Sequence, residues 1–370
     1  MSFRFGFFFV VLSIGLSACA DRSFTPVTPE ALELGTPKVM HGATSRAPDS
    51  NGGFGPERGI ETTLVEMVVS IPPSHTPGAL KFGYANPDPA TEFTLAAQQN
   101  FDSDAAFRSS LKKRLSNLPR ANREAMIFIH GFNSTHTEAA FRAAQLSHDI
   151  RVPGASLFYS LPSQGNPLGY AYDGDSALFA RDGLQHLIEQ VHTVGVERLI
   201  LIAHSMGSMV LMETLRQMDL EQPGWVGRNI GGVILISPDL DIEVFRTQIK
   251  RLSPPPEPFL VFVSQKDNIL NLSRRLRGTH SSARLGNLEN IALVSDLPIS
   301  VVDTTDFVSD AESSHFVPAT SPALLAILSS AAQVSSTLEP DARLAETFLP
   351  GSVTVAEDAV EVRVDNPATE

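Results

Sequence analysis

The chain has 370 residues, 42% of them hydrophobic, and a formal net charge of -13 at pH 7. This length allows one large domain or two of ordinary size, and the apolar content is enough for a sizeable core. The acidic balance argues against nucleic acid as a partner, because binding phosphates needs a basic patch.

Residues 1–18 have the layout of a secretory signal peptide. Arg4 precedes an apolar run over residues 5–16, and small residues close the run at 17–18. The run is too short for a comfortable membrane span. We therefore expect this segment to direct export.

Cys19 is the only cysteine of the chain and follows the sequence Leu16-Ser-Ala. This tetrapeptide resembles a bacterial lipobox, in which the cysteine thiol receives a diacylglyceryl group and becomes the mature N-terminus. A plain signal peptide with an incidental cysteine is the alternative, but a lone exported cysteine has no disulfide partner within the chain. We predict a cell-envelope lipoprotein held at a membrane surface by this anchor, with residues 19–37 as a proline-containing tether.

The folded domain is predicted over residues 38–335. Its first part is irregular, with a short mixed segment over residues 38–46. Residues 62–71 are rich in β-branched side chains and predict a strand, residues 93–97 predict another, and residues 104–118 have helical spacing.

From residue 125 onward, buried-strand runs alternate with helical patterns. Strands are predicted at 126–129, 156–160, 199–203, 231–237, 259–263 and 299–302, and helices at about 135–150, 173–194, 209–217 and 322–334. This alternation predicts an α/β fold with a mostly parallel central sheet and helices on both faces. Residues 336–370 are acidic and show no clear period, so we expect a mostly disordered tail.

Ser205 lies between the apolar strand run and the helix-forming stretch. A serine at such a strand-to-helix corner is typical of a nucleophile elbow, in which the hydroxyl stands clear of the backbone. The corner needs small neighbours two residues before and after, here Ala203, where glycine is usual, and Gly207. An ordinary helix capped by serine would look similar.

A serine nucleophile needs a base that takes its proton. Two histidines follow the elbow, and in a fold with this elbow the order is serine, acid, histidine. His315 lies in a polar loop just after the last predicted strand, where the base belongs. His280 lies in an arginine-rich stretch that no strand precedes. We therefore predict His315 as the base.

The acid is expected at the carboxyl end of a strand between the serine and the histidine. Asp267 follows the strand predicted over residues 259–263 and is our first choice. Asp239 and Asp241 follow the preceding strand and remain alternatives. The acid would hold the imidazole in the useful tautomer and stabilise the imidazolium.

The oxyanion that forms during acyl transfer needs donors already in place. One predicted donor is the backbone N–H of Met206, where the helix dipole also favours negative charge. The other is the N–H of Phe132, since Gly131 allows the loop after the first regular strand to turn inward.

Several of these motifs together resemble an α/β-hydrolase family of bacterial proteins of unknown function, described as esterase- or lipase-like. The resemblance rests on Ile129-His-Gly-Phe-Asn133, Phe158-Tyr-Ser-Leu-Pro-Ser163, Tyr172-Asp-Gly-Asp-Ser-Ala177, Ala203-His-Ser-Met-Gly207 and Ser237-Pro-Asp-Leu-Asp241, with weaker likeness upstream. It covers most of residues 38–330 and implies the α/β-hydrolase fold. The family usually has tryptophan where this chain has Leu161.

The prediction is thus a serine hydrolase acting on carboxylic esters, with small-molecule or lipid esters as substrates and no cofactor or metal. The loop over residues 160–173 is expected near the mouth of the site. Two alternatives stay open: acyl transfer by the same chemistry, and a non-catalytic envelope lipoprotein that uses the fold as a binding scaffold.

Overall fold

The computed structural model describes residue 22 and residues 24–276, 283–307, 314–333, 351–356 and 358–364. Within these residues the strands form one eleven-stranded sheet in the order β10-β11-β9-β8-β7-β6-β4-β5-β1-β2-β3. The strands are β1 (Thr36–Pro48), β2 (Phe54–Ile71), β3 (Thr94–Asn100), β4 (Glu124–Ile129), β5 (Ala155–Ser160), β6 (Arg198–His204), β7 (Gly232–Ile236), β8 (Phe259–Val263), β9 (Ser300–Asp303), β10 (Gly351–Ala356) and β11 (Ala359–Val364).

The described helices cover the two faces of this sheet. They are α1 (Asp104–Ser116), α2 (His136–Asp149), α3 (Tyr170–Phe179), α4 (Arg181–Val194), α5 (Gly207–Glu221), α6 (Trp225–Asn229), α7 (Ile242–Ile249), α8 (Asn268–Leu276), α9 (Val317–Thr320) and α10 (Pro322–Gln333). None of them has the length and apolar character needed to cross a bilayer.

The central strands are apolar on both sides because each side meets a different core. In β4, Ile127 and Ile129 belong to the core beneath α1, α4 and α5. Met126 and Phe128 belong to the core beneath α2 and α10. Strands buried on both faces therefore show continuous apolar runs, which is the pattern that predicted them.

The strands in the middle of the sheet, in the spatial order β9-β8-β7-β6-β4-β5-β1, are all parallel to their neighbours. At one edge β2 and β3 are antiparallel, while at the other β11 is parallel to β9 and β10 closes a hairpin. The mostly parallel sheet with helices on both faces confirms the predicted fold class. The carboxyl ends of the parallel strands meet at one edge, where ligands bind in open α/β sheets.

The folded region begins earlier than residue 38. A short 3-10 helix spans Pro29–Glu33 and buries Ala31, whose carbonyl accepts a hydrogen bond from Ser70 Oγ at 2.9 Å. The segment over residues 38–46, expected to be irregular, lies inside β1. Its buried positions include His41 and Arg46, and such polar side chains hide the strand pattern.

Part of the segment over residues 336–370, which we expect to be mostly disordered, has regular structure. Residues 351–356 and 359–364 form β10 and β11, in which Ala359 and Val364 are buried. Arg363 in β11 pairs with the Asp303 carboxylate at 3.0 Å. The sequence signal was weak because an edge hairpin is short and half polar, and charged residues at an edge are common.

The helix predicted over residues 173–194 is two helices. Ala180 separates α3 from α4, and its carbonyl accepts a hydrogen bond from the Tyr159 hydroxyl at 2.5 Å. Because α3 begins at Tyr170, the last part of the predicted loop over residues 160–173 is helical. The predicted signal peptide, Cys19 and His280 lie outside the described residues.

Candidate active site

The elbow serine sits in a conformation that few residues adopt. Ser205 follows β6 with a φ of 53°, in the left-handed region that costs free energy for a residue with a Cβ. Its backbone N–H donates to the Ile236 carbonyl of the neighbouring strand at 3.0 Å. The corner is thus held from the side while the Ser205 side chain faces His315.

Two glycines allow the β4 loop and the elbow to touch. A Cβ on Gly207 would lie 2.4 Å from the His130 carbonyl oxygen, and a Cβ on Gly131 would lie 2.7 Å from the Ser205 Cβ. Neither distance is compatible with a side chain unless the backbone moves. The close approach brings the loop that follows β4 directly against the serine.

His315 connects the serine to a carboxylate. Its Nε2 lies 2.7 Å from Ser205 Oγ, and its Nδ1 lies 2.7 Å from Asp267 Oδ2. The carboxylate accepts only, so Nδ1 carries the proton and the bare Nε2 faces the serine hydroxyl. This is the tautomer in which the imidazole can take the serine proton.

Asp267 is fully buried and uses its second oxygen to begin the next helix. Oδ1 accepts hydrogen bonds from the backbone N–H groups of Ile269 at 3.0 Å and Leu270 at 3.1 Å. These are the first N–H groups of α8, which otherwise have no intrahelical partner. The cap fixes the carboxylate plane and leaves Oδ2 for His315.

The two alternative acids are engaged elsewhere. Asp239 is buried and pairs with Arg284 at 3.1 Å, and it accepts from Ser273 Oγ at 2.6 Å and the Tyr170 hydroxyl at 2.7 Å. Asp241 caps α7 through the N–H of residue 243. Both carboxylates thus have other partners, whereas His315 Nδ1 contacts Asp267.

The proposed oxyanion donors lie on the two sides of the elbow. The Phe132 ring packs edge-on against the Tyr170 ring at 5.4 Å, which holds the loop after β4. Met206 stands directly before α5 and is buried. The proposed donor role of the two residues rests on their position beside Ser205.

His130 braces the oxyanion loop, which the sequence reasoning did not foresee. Its Nε2 accepts from the Leu161 N–H at 3.1 Å, so its Nδ1 carries the proton and donates to the Gly131 carbonyl at 2.7 Å. Burial, aided by the nearby Arg46 charge, lowers the pKa of His130 to about 3. A neutral imidazole thus joins the ends of β4 and β5 at the site.

His204 supports the loop that carries the base. Its Nε2 donates to the His315 carbonyl at 3.1 Å, and its ring lies 4.3 Å from the Phe316 ring. Arg142 covers the same Phe316 ring at 4.3 Å. Burial first, and then the neighbouring His315, hold the pKa of His204 well below its usual range.

The first part of the loop over residues 160–173 is tied down by buried polar groups. Arg46 donates to the Ser163 carbonyl at 2.9 Å and to the Ser134 carbonyl at 2.6 Å. Asp173 accepts from Ser163 Oγ at 2.5 Å and from the Gln164 N–H at 2.8 Å. This wall of the site is therefore braced by hydrogen bonds.

A group of possible metal ligands lies away from these residues. Within the part of the chain that the structure describes, His75, His148 and Asp149 place their ligand atoms within 4.8 Å of one another. Asp149 is already bonded to His75 Nε2 at 2.6 Å and to the Gly78 N–H at 2.8 Å. The group joins the loop after β2 to the end of α2, and sequence spacing did not reveal it.

A parallel sheet with a serine elbow, a histidine after the last central strand and an acid after the strand before it defines the α/β-hydrolase class. The chain belongs to the family described as alpha/beta hydrolase of unknown function (DUF900), whose profile matches residues 103–331. This match confirms the resemblance drawn from the motifs.

Solved structures also resemble the chain. One is a protein described as a YdeN-like hydrolase from Pectobacterium atrosepticum, with 17% identity, 60% of this chain and 97% of that chain covered, and a TM-score of 0.29. A metagenome-derived lipolytic enzyme, described under the names LipS and LipT, has 12% identity, with 49% of this chain and 71% of that chain covered and a TM-score of 0.26. A serine-to-alanine mutant of the hydrolase LAE6 from the Lake Arreo metagenome in Spain has 10% identity, 75% and 74% coverage, and a TM-score of 0.29.

At these identities and TM-scores the solved structures carry no argument about activity. No curated protein matches the chain. The family assignment thus rests on the profile match, and the function has to be argued from the site.

Proposed function

We propose that the protein is a serine hydrolase that cleaves carboxylic esters through an acyl-enzyme on Ser205. One observation carries the proposal: Ser205 Oγ, the His315 ring and the Asp267 carboxylate form a continuous chain with two contacts of 2.7 Å. A buried imidazole between a hydroxyl and a carboxylate is the arrangement that activates a serine nucleophile.

In this proposal Ser205 Oγ attacks the ester carbonyl carbon while its proton passes to His315 Nε2. The N–H groups of Phe132 and Met206 hold the oxyanion. His315 then gives the proton to the leaving alkoxide, which departs as the alcohol. Water attacks the acyl-enzyme, its proton passes through His315 to Ser205, and the carboxylic acid leaves.

The proposal includes a place of action. The signal peptide over residues 1–18 would export the chain, and a lipid on Cys19 would hold it to a membrane of the bacterial envelope. Support comes from the sequence of that segment alone. A lipid anchor of this kind binds a protein to a membrane surface.

The first prediction tests the nucleophile. Purified protein begun after Cys19 is assayed on p-nitrophenyl esters of increasing acyl length beside Ser205→Ala. We expect turnover by the wild type and a loss in kcat of roughly a thousandfold or more in the variant, because the members of a triad act as a unit. The preferred acyl length then gives a first measure of the pocket.

Other outcomes separate the alternatives. If a fluorophosphonate labels Ser205 but no ester is hydrolysed, acyl transfer to an alcohol or amine becomes the better proposal. If neither labelling nor turnover occurs while circular dichroism shows a folded protein, the hydrolase proposal fails and the scaffold alternative replaces it.

A further inference from the structure

The N-terminal segment reaches the mouth of the candidate site through a single arginine. The Arg22 guanidinium donates to Asn133 Oδ1 at 2.8 Å, to the Asn133 carbonyl at 3.1 Å and to the Gly165 carbonyl at 2.9 Å. It also pairs with the Glu138 carboxylate at 2.8 Å. Several charge-assisted hydrogen bonds in fork geometry fix both the position and the direction of this side chain.

The residues that hold Arg22 border the candidate site. Asn133 directly follows Phe132, whose N–H is the proposed oxyanion donor. Gly165 lies in the loop that Arg46 and Asp173 brace at the site wall. The chain therefore leaves the described fold at the active-site edge of the sheet.

Cys19 is three residues away from this point. An extended chain spans at most about 3.6 Å per residue, so the Cys19 backbone lies within roughly 11 Å of the Arg22 backbone. A diacylglyceryl group on Cys19 would enter the bilayer within that distance of the Arg22 backbone, whose side chain reaches the site mouth. Residues 19–37 then do not act as one long flexible tether, since the Arg22 contacts interrupt it.

Exposed apolar side chains occur in the chain segments that reach this edge. Leu168 is 92% exposed, three residues after the glycine that binds Arg22, and Phe24, two residues after Arg22, is partly exposed. Ile269 and Leu272 in α8, which directly follows Asp267, are also partly exposed. The loop that carries Leu168 and helix α8 adjoin, because the Tyr170 hydroxyl at the start of α3 lies 2.6 Å from Ser273 Oγ in α8.

We propose that this edge of the molecule lies against the membrane that the Cys19 lipid enters, and that the substrates are acyl esters embedded in that membrane. The proposal rests on the proposed hydrolase function and on the proposed lipidation. Apolar side chains around a site mouth lower their free energy by entering the interfacial layer of a bilayer. An anchor within about 11 Å of the Arg22 backbone keeps the mouth close to that layer.

The orientation is tested with single-cysteine probes in the full lipidated chain. Lipidated Cys19 does not react with thiol reagents, so Leu168→Cys can be labelled alone with an environment-sensitive nitrobenzoxadiazole dye. Asn122→Cys is the matched control, since residue 122 is exposed just before β4, at the opposite edge of the sheet. Both proteins are reconstituted into phosphatidylethanolamine and phosphatidylglycerol vesicles, with and without brominated acyl chains.

We expect bromine to quench the dye at residue 168 severalfold more than the dye at residue 122, together with a blue shift at residue 168. Equal quenching at the two positions would overturn the proposal. The measurement does not depend on turnover, so it decides the orientation even if the hydrolase proposal fails. Intact mass that shows no lipid on the mature protein would overturn this proposal and leave the hydrolase proposal standing.

A second experiment measures the substrate class. A Gly/Ser linker of about twelve residues is inserted between Ala20 and Asp21, which leaves Arg22 and its partners unchanged. Hydrolysis of a fluorogenic diacyl ester in the same vesicles should fall roughly tenfold, because effective concentration falls with about the 3/2 power of tether length. Hydrolysis of dissolved p-nitrophenyl acetate should not change. An unchanged vesicle rate would show that the short anchor does not present the site to embedded esters.

Discussion

Asp267 divides its two carboxylate oxygens between two tasks. Oδ1 begins α8 through two backbone N–H groups, and Oδ2 meets His315. The cap requires a hydrogen-bond acceptor, so a side chain that replaces Asp267 and keeps the cap must place an oxygen at the position of Oδ1. An amide at this position would therefore direct its oxygen to α8 and its nitrogen to His315.

Asp267→Asn is therefore expected to keep the fold but to lose the His315 tautomer in which Nδ1 carries the proton. The amide oxygen would stay on the α8 N–H groups, and the amide nitrogen would face His315 Nδ1. Nδ1 then has to accept, so the proton moves to Nε2 and the imidazole can no longer take the serine proton. We expect kcat to fall by roughly a thousandfold to ten-thousandfold, measured on the best p-nitrophenyl ester, with an unchanged melting temperature. A fall below tenfold would remove Asp267 from the triad.

Asp239→Asn is expected to give the opposite result. The buried Arg284 charge would lose its carboxylate partner, which costs about 3–5 kcal/mol when one member of a buried pair is removed. Urea unfolding should show this loss, while kcat of the folded fraction should remain within tenfold of the wild type. A thousandfold loss of kcat with full stability would instead move the acid role to Asp239.

At the residue level, the residues that the structure brings together could be predicted where they have a local signature. Ser205 was visible from its strand, corner and glycine, and His315 from its place after the last central strand. The bracing roles of His130 and His204 could not be predicted, because each depends on a carbonyl or N–H group that folding brings near. A histidine at a strand end, next to glycine or serine, was the one available signal.

At the level of elements, the central strands were predictable because burial on both faces leaves continuous apolar runs. β1 was missed because it carries buried polar side chains such as His41 and Arg46. The β10–β11 hairpin was missed because it lies at an edge, where the apolar pattern is weak. Most bounds of the central elements agree with the prediction within a few residues, whereas β2 begins eight residues earlier than the predicted strand. The start of α2 was predictable because Thr135 is a local capping signal, while bounds that are set by packing leave no such signal.

A chain that ends at residue 335 should retain the triad residues but lose stability. It lacks β10 and β11, so the edge of β9 is open, the buried Ala359 and Val364 are missing, and Asp303 loses Arg363. We expect the free energy of unfolding to fall by roughly 2–4 kcal/mol, mainly from lost apolar burial. A chain that ends at residue 364 is the control and should match the wild type in urea denaturation. Equal midpoints for the two truncations would show that the hairpin adds nothing.

For the whole molecule, buried neutral histidines link stability to pH. Burial lowers the pKa of His41 to about 4 and of His130 to about 3, and it holds the pKa values of His136 and His204 well below their usual range. Among the residues that the structure describes, neither buried ring nitrogen of His136 has a hydrogen-bond partner. In the unfolded chain these groups have a pKa near 6.5, so below that pH the unfolded state binds more protons.

Stability should consequently be full above about pH 7 and fall as the pH drops through 6.5 toward 4. Each histidine contributes a slope approaching 1.4 kcal/mol per pH unit, or about 7 kcal/mol for the four between pH 7 and pH 5. Urea denaturation at both pH values measures the change. His136→Leu should reduce the pH dependence by about a quarter. An unfolding free energy that is the same at pH 5 and pH 7 would contradict the prediction.

The position of β11 has a consequence for biosynthesis. Translation produces Ser205, Asp267 and His315 before it produces the strand that borders β9. A nascent or prematurely ended chain therefore holds Ser205, Asp267 and His315 while the β9 edge of its sheet is unpaired, and an unpaired edge is a template for pairing with other chains. The β9 edge of the sheet, which precedes the loop that carries His315, therefore becomes paired only after β11 has been synthesised.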